Sequence, residues 1–336
     1  MTKCLIIGAG IVGLTTALEL KRNGYDVTIL DAEKEGRSSK SAAGIMLPLR
    51  PWKNSKKMQD LCALGHKEYY KFFDNLSNED KKIISHDKKN ILIFGDNLES
   101  SKKWYHDNDY VKSNFFEKKL NTEEENIRGV YKNYLKVEGI YIIDPVSLIL
   151  YYKKKLKQKN IKFIKEDVKE IHNYVNLKKN KYYDFFVVTA GTWSNEILEN
   201  NEIILKPIKG QVINIKANKK IIDNVLFYND YYIIPKGETN LLVGATVEDV
   251  GFDNSITKEA NSYLLKSLSE IFSSELSISD ITQSFGFRPY TNTDAPYIKN
   301  DSQDKRIIYN FGHYRYGILT AIPSAKIVKK LMLECM

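Results

Sequence analysis

The segment KCLIIGAGIVGLTTALELKRNGYDVTILDAE, residues 3–33, constrains this chain more than any other stretch. Residues 3–7 form the short apolar run expected of a strand covered on both faces, and Gly8, Gly10 and Gly13 follow as G-x-G-x-x-G. Gly8 permits a tight turn, Gly10 lets backbone approach a pyrophosphate, and Gly13 lets the next helix pack close to the sheet. That helix, predicted over residues 11–23, opens on Ile11 and Val12 and turns its positive end toward the phosphates. Apolar residues at 14, 17, 18 and 20 give it a buried stripe, and Gly24 stops it. The second strand, DVTIL, runs into Asp31 and Ala32, where a carboxylate accepts the ribose hydroxyls of an adenosine. Together these features predict a dinucleotide site, with nicotinamide and flavin both open at this point.

With 336 residues, 43% of them hydrophobic, the chain is long enough for two domains. Its net charge of +9 is carried almost wholly by Lys scattered among polar residues, which reads as a solvated surface and argues against a nucleic-acid partner. The three Cys and five His show neither a disulfide framework nor metal-ligand spacing, so no metal is expected. No apolar run is long enough to span a bilayer, and a soluble, cytoplasmic protein without membrane insertion is the expectation.

The stretch GRSSKSAAGIMLP, residues 36–48, follows Asp31 with small and hydroxyl side chains where a nicotinamide domain would begin another crossover helix. Small residues let a backbone run along a cofactor. This segment resembles the second flavin-contacting segment of the D-amino-acid oxidase and glycine oxidase family of FAD enzymes. Further segments match that family in order: DVKEI (167–171), YDFFVVTAGTWSNEIL (183–198), KPIKGQVINI (206–215), YYIIPKGETNLLVGATVEDVGFD (231–253), FGFRPYTNTDAPYI (285–298) and GHYRYGI (312–318). The last is closest to glycine oxidases.

The resemblance implies an α/β fold, with a Rossmann-type FAD-binding domain interleaved with an antiparallel-sheet substrate domain. The residue patterns agree: DFFVVTAG reads as a buried strand feeding a cofactor turn, and VINI, YYIIP and LLVGATVED as β-rich runs between short turns. Asp144 caps a helix that begins at Pro145. The expected FAD domain spans 1–75, 138–200 and 285–336, and the substrate domain 76–137 and 201–284. By resemblance FAD is held without a covalent bond, since Cys335 lies beyond the flavin turn. Its contacts would be Gly8, Gly10, Ile11, Val12, Gly13, Asp31, Ala32, Ser41, Ala42, Ala43, Gly44, Met46, Val168, Ala190, Gly191, Trp193, Arg288 and residues 312–318 (Gly312, His313, Tyr314, Arg315, Tyr316, Gly317, Ile318).

A substrate carboxylate is a planar pair of acceptors that a guanidinium fork meets with two bonds and an ammonium does not. Only seven of the 51 Lys and Arg are Arg. Arg22 on the first helix, Arg128 in a charged stretch and Arg306 beside other charges are set aside. Arg288 matches the family residue that binds the carboxylate, Arg315 the other active-site Arg, and Tyr232 the tyrosine that hydrogen-bonds the carboxylate. Tyr231 alternates to the other face of its strand. Asp230 stands where the family often has His. Ile45, Met46 and Val247 are expected to wall the pocket with apolar surface. The final helix is expected to begin near enough to Pro323 to keep it in the first turn.

The implied activity is oxidative deamination of glycine, sarcosine or a short D-amino acid by hydride transfer to flavin N5, without a protein base. It yields imine, oxo acid and ammonia, with dioxygen reduced to peroxide. Resemblance to glycine oxidases adds supply of dehydroglycine to the thiamine thiazole and a homotetramer. Three alternatives stand beside it: a D-amino-acid dehydrogenase with a quinone acceptor, an oxidase acting on a carboxymethylaminomethyl group of tRNA wobble uridine, and a flavoprotein scaffold without substrate.

Overall fold

A computed structural model describes residues 1–108, 113–116, 127, 133–198, 203–273 and 276–336. The strands are β1 (Lys3–Ile7), β2 (Asp26–Asp31), β3 (His86–Phe94), β4 (Ser113–Phe116), β5 (Tyr134–Ile143), β6 (Lys162–Lys165) and β7 (Phe185–Val188). They continue as β8 (Leu205–Ala217), β9 (Val225–Tyr228), β10 (Tyr231–Lys236), β11 (Asn240–Gly244), β12 (Ile278–Thr291), β13 (Tyr297–Asn300) and β14 (Ile307–Phe311). The helices are α1 (Ile11–Arg22), α2 (Lys56–Asp74), α3 (Asn78–Lys81), α4 (Leu98–Asp107), α5 (Pro145–Gln158), α6 (Ile171–Asn176), α7 (Lys258–Ile271) and α8 (Gly317–Leu333).

Two mixed sheets give an α/β fold. The first runs β13-β14-β7-β1-β2-β6, parallel except for the edge pair β13–β14. Leu14, Ala17, Leu18 and Leu20 of α1 are buried as the spacing predicts, and α1 packs against α5 and α8. Each such Leu contributes about 1.5–3 kcal/mol by leaving water. The second sheet runs β12-β8-β11-β10-β9-β3-β5-β4. It is antiparallel apart from β3 and β9, which pair in parallel. The expected domain seams at 137/138 and 284/285 fall inside β5 and β12.

Three local expectations differ from the structure. The stretch DVKEI, which resembles a strand of the family, is no strand here: β6 ends at Lys165, and Glu170, at φ 48°, turns the chain into α6, while Val168 is buried. The charged segment SNEDKKIISHDKKN, residues 77–90, whose composition predicts solvated helix and loop, is solvated only in part, because His86–Asn90 belong to β3 and pair with β5. Pro323 lies inside α8 rather than in its first turn. Its missing N–H frees the Leu319 carbonyl, and Gly65 of α2 stands where any Cβ would overlap that oxygen. A neighbouring backbone thus covers the gap in the helix ladder.

Candidate active site

Two contiguous clefts lie between the sheets. The first, about 890 Å3, follows the carboxyl ends of β1, β2 and β7, and the second, about 1110 Å3, continues over the second sheet. Ile11, Ser38, Ser39, Tyr314 and Gly317 line both. Of the residues expected at cofactor or substrate, all line one or both clefts except Gly13 and Val247.

Gly8 has φ 108°, and a Cβ there would come within 2.6 Å of the Thr189 carbonyl oxygen. Thr189 closes the turn by donating from its hydroxyl to the carbonyls of Ile7 and Gly8, both at 3.0 Å. Gly13 faces away from the cleft into this turn, where a Cβ would overlap the Gly8 carbonyl. Gly10 is the opposite case, since a Cβ there meets nothing nearer than Ser39 Oγ at 3.5 Å. An open glycine at the N-terminus of α1 is a cradle for a pyrophosphate. Asp31 ends β2 at the first cleft and accepts a 2.7 Å bond from Arg37, which lines the same cleft and escaped the sequence reading. These residues fit FAD.

The small-residue segment is stitched to β12 and β5 of the second sheet. The Ser41 hydroxyl donates to Phe285 O (2.6 Å), Ile143 N–H to Gly44 O (2.9 Å) and Met46 N–H to Tyr141 O (3.0 Å). Ala42 to Met46 thereby line the second cleft. At its other end β14 feeds Gly312 and His313, a single turn over Tyr314–Tyr316, and α8 from Gly317. His313 is buried, with Nε2–H donating to Asn310 Oδ1 (2.9 Å) and Nδ1 against the Thr320 hydroxyl (2.8 Å). Burial pushes its pKa down to about 3, so the imidazole is neutral and serves as a packed turn residue.

Sheet register assembles the polar end of the second cleft. Tyr232 pairs with Gly244 across β10 and β11, and a Cβ on Gly244 would overlap the Tyr232 hydroxyl. Tyr231 packs on Tyr263 instead. Arg288 lies two residues beyond Gly286, which pairs with Gly210, and its guanidinium occupies the space a Gly210 side chain would take. Arg288 Nη1 donates to Thr246 O (2.9 Å) and reaches Lys209 O at 3.5 Å. Burial lowers the Arg288 pKa, with the neighbouring Arg315 charge acting in the same direction, and burial raises that of Tyr232 against the pull of both cations. Arg288 remains charged.

Arg50, which the sequence reading passed over, also lines this cleft and forms an ion pair with Asp230. Its side chain is 11% exposed and that of Asp230 58%. The signal was present, because Arg50 is another of the seven Arg and stands two residues past the small-residue segment. Val247 is a correction: it is 51% exposed, because β11 ends at Gly244 and strand alternation ends with it, and Ala245 lines the cleft instead. Cys335 is exposed beyond α8 and lines neither cleft. Among the described residues no helix is long and apolar enough to cross a membrane.

The profile of the FAD dependent oxidoreductase family, DAO, matches residues 3–331. Glycine oxidase of Pseudomonas aeruginosa is 24% identical over 98% of this chain and 94% of its own length. The glycine oxidase structure from Bacillus cereus superposes with a TM-score of 0.83 at 20% identity, covering 100% of this chain and 96% of that one. The iminodiacetate oxidase structure from Chelativorans sp. BNC1 gives 0.84 at 19% identity, covering 98% and 95%. The two superpositions bear on the fold.

Proposed function

The chain belongs to the DAO family of FAD-dependent oxidoreductases, and on that footing we propose that it oxidises glycine or another small primary or secondary amino acid, such as sarcosine or a short D-amino acid. FAD-dependent amine oxidation is the activity its relatives share in general. The observation that carries the finer reading is the cleft end where the Arg288 fork and the Tyr232 hydroxyl converge beside an apolar wall.

When bound, FAD supplies a two-electron acceptor for the carbon beside the amine nitrogen. In this reading Arg288 and Tyr232 grip the carboxylate, which fixes the position of that carbon. Ile45 and Met46 exclude water and limit side-chain size. Among the described residues Asp230 is the only acid lining the second cleft, no His lines it, and Arg50 holds Asp230. An amine that arrives neutral needs no base: it gives up two electrons and two protons in all to become an imine. Water converts the imine to oxo acid and ammonia, or to oxo acid and a primary amine where the nitrogen carries a substituent, and dioxygen takes the electrons and protons as hydrogen peroxide. We assign FAD binding to the first sheet with α1 and α8, and substrate binding to the second sheet. A supply of dehydroglycine to the thiamine thiazole requires that glycine itself be a substrate.

The test is an anaerobic flavin-bleaching screen of the holoenzyme over glycine, sarcosine, D-alanine, D-proline and larger D-amino acids. Bleaching by at least one small member supports the reading, and no bleaching across the panel rejects it. Reoxidation of the reduced enzyme in air distinguishes an oxidase from a quinone-linked dehydrogenase, which reacts slowly with dioxygen.

A further inference from the structure

The second cleft holds more positive charge than one carboxylate balances. Arg50, Arg288 and Arg315 all line it, and among the described residues a single carboxylate does so, Asp230, which pairs with Arg50. Arg288 donates only to backbone carbonyls. The acid nearest it, Glu248, is already engaged by Gln211, Thr246 and Lys209. Arg315 has no ion pair or hydrogen bond among the described residues and stands beside the Tyr314 ring at 5.3 Å. Two guanidiniums, the buried Arg288 and the solvent-exposed Arg315, therefore have no carboxylate partner among the described residues. Three of the seven Arg in a Lys-dominated chain converge on this cleft. A planar fork is the group that suits a carboxylate, whereas an ammonium suffices for solvation.

The space beyond carries the same sign. A further cavity of about 790 Å3 adjoins the second cleft. It shares Arg50, Tyr314, Arg315 and Tyr316 with that cleft and adds Lys53 and one acid, Asp294, so that three cations face Asp230 and Asp294 where the two spaces meet. Arg50 and Arg315 thus stand where the two spaces meet, while Arg288 and Tyr232 line the second cleft alone. A monocarboxylate held by Arg288 leaves the junction positive, and a second carboxylate there neutralises it.

Resting on the amine-oxidising reading above, we propose that the preferred substrate is an amine carrying two carboxylates, the first held by Arg288 and Tyr232 and the second by Arg315 with Arg50. Asp230 is then the resident counter-ion of Arg50, and Arg315 selects the substrate. The second carboxylate can sit on the nitrogen arm, as in iminodiacetate, or on the side chain, as in D-aspartate.

The experiment has a binding arm and a turnover arm, both on the holoenzyme. Oxydiacetate and methoxyacetate, ethers that lack an amine and are not oxidised, are titrated while the flavin absorbance is followed. Oxydiacetate is expected to bind about tenfold more tightly or better. In R315Q, where the substituted side chain is exposed, the ratio is expected to fall to about twofold or less. Equal binding of the two ethers, or a preference that survives R315Q, overturns the proposal. In the turnover arm iminodiacetate is compared with sarcosine, and D-aspartate with D-alanine, by kcat/KM. A gain for the first pair places the second carboxylate on nitrogen, and a gain for the second pair places it on the side chain. If sarcosine or D-alanine is oxidised and neither dicarboxylate surpasses its partner, the proposal fails while the amine-oxidising reading stands. If no amine bleaches the flavin, that reading fails and takes the proposal with it.

Discussion

The guanidinium of Arg288 lies where a side chain on Gly210 would stand, so the arginine owes its path across the second sheet to a hydrogen atom. Gly210 pairs with Gly286 on the neighbouring strand, where a Cβ would instead approach Ser38 and Ser41 at 3.2 Å.

G210A is therefore expected to displace the fork while leaving the sheet paired. We expect KM for the amino-acid substrate to rise about tenfold or more, with kcat less affected, because a displaced fork weakens ground-state and transition-state binding alike. A KM within about twofold of wild type would mean that the carboxylate is held elsewhere.

Arg288→Lys keeps the charge and removes the planar pair of donors. A loss of about 100-fold in kcat/KM is expected, corresponding to roughly 3 kcal/mol of lost charge-assisted bonding. Steady-state kinetics with the best substrate from the bleaching screen decide it. An unchanged kcat/KM removes Arg288 from substrate binding.

Lys209 has a fully buried side chain whose ammonium meets Asp253 at 2.9 Å and lies 3.8 Å from Glu248. Its backbone pairs with Glu248, and Thr246, two residues earlier, supplies the carbonyl that holds Arg288. K209M leaves an apolar side chain between Asp253, which faces water, and Glu248, which keeps Gln211 and Thr246, and a lower Tm is expected. Because the strap loosens, KM is expected to rise as well. A Tm loss with KM unchanged would show the network to be structural only.

His313 predicts a pH dependence of stability. Its pKa is about 3 in the fold against 6.5 for an ordinary imidazole. Between those values the unfolded chain binds a proton that the folded chain refuses, so stability is full above pH 6.5 and declines as the pH falls toward 3. The contribution to the slope is about 1.4 kcal/mol per pH unit. Denaturant unfolding of the wild type and of H313Q at several pH values between 4 and 6 is expected to show a shallower slope in the variant. Identical slopes would mean that the imidazole is charged inside the protein.

Much of the cofactor end can be read from the chain because its cues are local. The glycine spacing, the stripe of α1, Asp31 at the end of β2 and the Asp144 cap on Ser147 N–H all act within a few residues of one another. Strand alternation likewise separates Tyr232 from Tyr231. The departures arise where a distant partner overrides a local rule. Pro323 sits in mid-helix because α2 offers a glycine to the freed carbonyl, and Val247 faces water because β11 stops short of it.

The substrate end depends on contacts between segments remote in the chain. Arg50, Gly210, Tyr232 and Arg288 lie on four separate segments, and nothing in any one of them encodes its distance from the others. A dinucleotide turn is set by steric limits on neighbouring residues, which composition and spacing already express. A cluster of guanidiniums is set by how two sheets register and face each other, and those long-range pairings exist only once the chain has folded.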